Sequence, residues 1–184
     1  MTLPLIQLLN ERYINLFNKD EKAKYAREVW DIITASYAGI GGLKGNGFTS
    51  MQDMIDNVEM WKLIRQNGKI IAVALYRDKN GRKRVAIGTD GSVAGKRAMA
   101  AFVKEEAKQN RAYGEISGPS YKFFKRVLGD DYQQYLVPAA EVGALLGKDV
   151  EVIDEFSYRR TIGGTDSIKV LVGRPSGKPI KDTR

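Results

Sequence analysis

Apolar residues recur every three or four positions between 20 and 38. Ala26, Val29, Trp30, Ile33 and Tyr37 fall on one side of a helical repeat. The spacing predicts a helix there, stopped by the glycines at 39, 41, 42, 45 and 47. Ser50 is placed to cap a short second helix, MQDMIDNV. The period then shortens. EMWKLI (59–64), KIIAVALYR (69–77) and KRVAIG (83–88) read as strands, with Asn67-Gly68 and Lys79-Asn80-Gly81 between them as hairpin turns. Three such strands in succession predict an antiparallel meander.

Helical spacing returns from 95 to 110 and is followed by a strand, AYGEISG (112–118). SYKFFKRVL (120–128) reads as a helix closed by Gly129, and 138–146 as a shorter one. FSYRRTIGG and SIKVLVGR are strands joined at Gly163 and Gly164. Residues 174–184, rich in Pro, Gly and charge, predict a disordered basic tail, which leaves 1–173 as one domain. This order of elements predicts an α+β (mixed α/β) domain with a mostly antiparallel sheet flanked by helices. Trp30 and Trp61 are expected in its core.

Composition narrows the chemistry. The 184 residues include no cysteine and no histidine. Disulfides, cysteine zinc sites, thiolate nucleophiles and histidine-dependent triads or metal centres are excluded, and no metal site is expected. Catalysis would have to run on carboxylates, hydroxyls, lysine, backbone amides or a cofactor. The net charge of +8 favours anionic partners: nucleic acid, a polyphosphate cofactor or an acidic protein. The first residues, MTLPLIQLLNERY, lack the features of a secretory leader, and no apolar run reaches membrane-spanning length. An intracellular protein, or one carried in a particle assembled inside a cell, is the expectation.

The segment VAIGTDGSVAGKRAMAAFVKEEAK (85–108) joins a strand to a helix through a glycine-bearing turn. Free N–H groups and the positive end of the helix dipole meet at such a turn, which suits phosphate. Gly88, Gly91 and Gly95 permit tight turning, and Lys96 and Arg97 add charge. A plain strand-to-helix connection accounts for the segment equally well. The spacing is neither that of a dinucleotide fold nor that of a P-loop, because Gly95-Lys96 is followed by Arg97.

From about residue 25 to 173 the chain resembles the GNAT superfamily of acyl-CoA-dependent N-acyltransferases. GTDGSVAGKRAMAAF stands where that family has its CoA loop and helix. AYGEISG stands at its splayed strand, and SYKFFKRVLG at the helix beside the thiol. VWDIITASYAGIGGLKGNGF, GEISGPSYKFF and FSYRRTIGG…KVLVG are also similar to uncharacterised GNAT-like proteins of tailed bacteriophages. The resemblance implies a bound acetyl-CoA or other acyl-CoA, with Gly91, Val93, Ala94, Gly95, Lys96 and Arg97 around its pyrophosphate. Asp90 stands at the family's Arg/Gln position and Val93 at its first glycine.

Acyl transfer needs a base for the amine, donors for the oxyanion and an acid for the thiolate. By resemblance, Glu115 or Glu59 is the base, Tyr121 the acid, and backbone N–H groups at the splay the oxyanion donors. Packing roles explain the same three side chains. Tyr158 and Arg159 are candidates for a substrate groove, although strand alternation also accounts for them. The turn KNGRKR reads as a solvated hairpin tip or a phosphate contact. Two functions follow. One is direct acyl transfer to an amine. The other is a non-catalytic protein of the same fold, acting in the host cytoplasm or the virion on a phage or host protein or on nucleic acid.

Overall fold

The computed structural model describes residues 13–40, 42–43 and 46–175. The expected tail, apart from Arg174 and Pro175, and residues 1–12 lie outside these residues, as do Gly41 and Gly45.

Strand β1 (Tyr13–Leu16) opens the fold and was not foreseen from the sequence. Helices α1 (Lys19–Tyr37) and α2 (Met51–Asn57) follow, then the meander β2 (Met60–Gln66), β3 (Lys69–Tyr76) and β4 (Arg84–Thr89). Helix α3 (Val93–Lys108) leads to β5 (Gly114–Ile116), α4 (Pro119–Leu128), a 3-10 segment (Gly129–Tyr135) and α5 (Ala139–Leu146). The short β6 (Glu151–Val152) precedes the hairpin β7 (Ser157–Ile162) and β8 (Thr165–Val172). The α+β class read from the sequence is the one observed. Local chemistry sets the ends. The Asn18 and Ser50 side chains accept from first-turn N–H groups of α1 and α2. Positive φ at Asn67 and Gly68, and at Gly163 and Gly164, turns the two tight hairpins.

The strands form two antiparallel sheets, β1-β2-β3-β4 and β5-β8-β7-β6. One parallel bridge joins them, at Lys83 and Tyr113. The Arg84 N–H donates to the Tyr113 carbonyl at 2.9 Å and the Tyr113 N–H to the Arg82 carbonyl at 2.7 Å. Beyond that point no pairing holds β4 to β5 among the described residues, and a cleft opens.

Strand alternation sends Val73, Leu75, Trp61 and Leu63 to the α1/α2 side and Ala72, Ala74, Tyr76 and Ile64 to the α3/α4 side. A third cluster, with Val142, Tyr158 and Leu171, lies under α5. Trp61 is fully buried, as expected. Trp30 is not: it packs half-buried at the rim of the α1 side.

The α3/α4 core contains a buried ionic group. Arg84 is ion-paired with Glu106 of α3, the Tyr76 hydroxyl donates to the second Glu106 oxygen at 2.5 Å, and the guanidinium lies 5.1 Å from the Phe124 ring centroid. Burial, reinforced by the carboxylate, pushes the Tyr76 hydroxyl well above its usual pKa, so it stays a donor. Removing one member leaves a buried charge unmatched. E106A is expected to cost about 3–5 kcal/mol, and the apolar pair R84M/E106L much less, as urea unfolding would measure.

Candidate functional site

The cleft between the sheets has a volume of about 440 Å3. One wall is β4, flanked by Tyr37 and Asn46 from the segment after α1. The other is β5, the start of α4 and the inward face of the β7–β8 hairpin. Alternation along β8 turns Thr165, Ser167 and Lys169 toward it, and along β7 Arg160 and Ile162.

Glu115 faces this cleft. Both of its oxygens are engaged, one by the Arg160 guanidinium and the other by the Tyr158 hydroxyl at 2.9 Å. Burial, with the neighbouring carboxylate, raises the Tyr158 pKa far above its ordinary value, so the phenol is a fixed donor. Tyr158 is fully buried beneath the groove, whereas Arg159 points to the opposite, outer face and binds Glu151 at 3.0 Å. The groove arginine is Arg160.

The other two catalytic candidates do not line the cleft. Glu59 is exposed at the start of β2, where its carbonyl accepts from Lys22 Nζ at 3.0 Å, and it is not part of the cleft wall. Tyr121 packs half-buried on the α3/α4 core, with Lys125 Nζ 6.0 Å from its ring centroid. Glu59 is therefore not brought to Glu115, whereas Tyr121 lies near enough to Tyr158, the hydroxyl partner of Glu115, to help raise its pKa.

The turn before α3 is closed by its own side chains. The Asp90 carboxylate accepts from the Ser92 N–H at 3.0 Å and the Ser92 hydroxyl at 2.5 Å, with Lys69 Nζ at 3.9 Å. The Gly91 N–H donates to the Thr89 hydroxyl, and Ser92 Oγ accepts from the Gly95 N–H at 3.0 Å. An internal carboxylate thus sits where a phosphate would approach. The N–H groups of Val93 and Ala94 keep no acceptor among the described residues, and Lys96 and Arg97 are exposed. Gly95 has a packing reason to be glycine: a Cβ there would lie 2.5 Å from Asp90 Oδ1 and from the Ile71 carbonyl. Gly91 adopts φ +82, which also favours glycine.

The outward edge of β4 is covered as well. The Ile87 N–H donates to the Tyr37 hydroxyl at 3.2 Å, the Thr89 N–H to the Ser36 hydroxyl at 3.3 Å, and Asn46 donates to the Val85 carbonyl at 2.7 Å. Gly88 admits this contact, since a Cβ there would stand 2.7 Å from Ser36 Oγ. The N–H groups expected at the splay for an oxyanion are thus held by hydroxyls of α1.

Sequence reading missed the cations of the cleft. The turn KNGRKR is only partly a solvated tip. Arg82 donates to the Asn110 and Arg174 carbonyls, Lys83 reaches the cleft and Arg84 enters the core. Lys169 is 5% exposed and lies against the same cleft. Its one signal in the sequence is a lysine inside an otherwise apolar strand, SIKVLV. Among the described residues no cluster of acidic side chains could hold a metal ion, and no helix is long and apolar enough to cross a membrane.

No known family model matches the chain, and no curated protein matches it.

Two outcomes follow from the turn. Desolvation pushes the Asp90 carboxyl up, but the Ser92 hydroxyl and N–H and the Lys69 ammonium outweigh it and hold it below its usual value of 3.8. A depressed folded pKa means the stability is present above 3.8 and is lost as pH falls through the lower folded value. D90A is expected to cost about 1–2 kcal/mol at neutral pH, and less as the medium is acidified through that range, read from denaturant melts at several pH values. G95V is expected to lower stability by about 1–3 kcal/mol without any ligand present, since its Cβ meets backbone.

Proposed function

We propose that this chain is a GNAT-like domain acting as a non-catalytic binding module, with the cleft between β4 and β5 as its ligand site. The family likeness is supported by the order of elements: two helices between β1 and β2, a meander, and parallel strands that meet at one bridge and part. The reading of no acyl transfer is carried by the Asp90 carboxylate folded into the α3 turn. A carboxylate in that position repels a pyrophosphate and already takes the Ser92 N–H and hydroxyl. The covered β4 edge and the fully engaged Glu115 agree with this. The setting we propose is a tailed-phage infection, with the module in the host cytoplasm or in the particle. Stoichiometric copies in purified virions would mark it as a component of the particle.

The second reading, direct transfer of an acetyl group from acetyl-CoA to an amine, is favoured by one observation. Glu115 is a carboxylate facing a cleft that opens between β4 and β5. Calorimetry with acetyl-CoA, desulfo-CoA and ATP on the folded protein separates the two. The expected result is no selective binding of CoA species and no acetylation of an amine panel. Selective CoA binding with turnover would overturn the binding-module reading and restore acyl transfer.

A further inference from the structure

The cleft carries more positive charge than its own groups neutralise. Arg160 is paired with Glu115. Arg84, which also lines the cleft, is paired with Glu106 of α3, and Arg77 donates to the Gly47 and Asn57 carbonyls while keeping its charge. Lys83 and Lys169 line the same space and have no acceptor and no ion-pair partner among the described residues. Lys169 is the sharper case. Its stem is buried between β7 and β5, yet its ammonium is not among the sealed, unbonded polar atoms, so it reaches the cleft space.

An unpaired buried ammonium is costly, and a chain that keeps one at the wall of a cavity gains from it only when something anionic arrives. Burial lowers the pKa of both lysines. Arg160 lowers them further, and Glu115 opposes the shift without cancelling it. Lys83, Lys148, Lys169, Arg77 and Arg160 line the cleft against one carboxylate there, Glu115, so the cleft carries a surplus of positive charge. Hydroxyls complete the setting. Ser117 and Ser120 stand at the start of α4 and line the cleft.

We infer that this cleft is a binding site for a small phosphate monoester, its dianionic head seated between Lys83 and Lys169 and hydrogen-bonded by Ser117 and Ser120. A monoester carries close to two negative charges at neutral pH and three acceptor oxygens, and so answers more of that surplus and of the donors than a monoanion does. A diester, such as a nucleic-acid backbone, carries only one charge. The volume of about 440 Å3 suits a small molecule. The inference rests on the binding-module reading for the place of the site, and it names the chemistry of the ligand.

The test titrates the full chain with phenyl phosphate, and with its monoanionic methyl ester, by calorimetry and thermal melting. K169M and K83M are the variants, Met keeping the length of the buried stem. Phenyl phosphate is expected to bind, to raise the melting temperature, and to bind more tightly than the methyl ester. K169M is expected to weaken its binding about tenfold or more while melting higher than the native protein without ligand. K83M, at a half-buried position that tolerates change, is expected to weaken binding without that gain. Absence of phenyl phosphate binding, equal affinity for the diester, or affinity unchanged in both variants would overturn the site. None of those results touches the binding-module reading. That reading falls instead to acetyl-CoA binding that K169M leaves intact, accompanied by turnover.

Discussion

The Arg84–Glu106 ion pair, with the Tyr76 hydroxyl on the same carboxylate, is the constraint on which the geometry of this fold depends. Arg84 belongs to β4 at the place where β4 last touches β5. Its side chain reaches Glu106 of α3 and lies against the Phe124 ring of α4. One residue thereby ties both sheets and both helices of that face to a single point. Buried charges are tolerated only when fully matched, so the pair admits little variation in how these parts meet. Gly114 reflects the same closeness: a Cβ on it would stand 3.2 Å from the Arg84 carbonyl.

From that fixed point the two sheets diverge, and the groups on each side of the gap dictate what it can hold. On the β4 side, α1 lies close enough over Gly88 for Ser36 and Tyr37 to take the outward N–H groups. On the β5 side, Glu115 is consumed by Arg160 and Tyr158. What remains unpaired is positive, with Lys83 and Lys169 on the cleft wall. A site built this way attracts and holds an anion, and offers little to a reaction that needs a free base and a free oxyanion pocket.

The α3 turn shows how one side chain redirects a motif. A glycine-bearing strand-to-helix turn is a ready anion site. Here Asp90 supplies the anion from within the chain, and Ser92 and Lys69 hold it there. Gly95 answers to packing and Gly91 to turn geometry.

Periodicity in the sequence by itself determined the helices α1 to α5, the meander and the final hairpin, because apolar spacing and positive-φ turn residues act locally. It did not reveal β1, four residues whose strand state depends on pairing with β2. Nor did it show that Trp30 stops at the rim, since burial depends on what packs opposite. For the site, the chain alone identified the turn at 90–97 and Glu115 as features of interest. Only the tertiary structure decided that Asp90 closes the turn, that Glu59 stands apart from Glu115, and that Lys83 and Lys169 line one cleft. Lys83 and Lys169 are 86 positions apart in sequence. Charge balance in a cavity belongs to groups brought together by non-local strand pairing, and no local pattern records it.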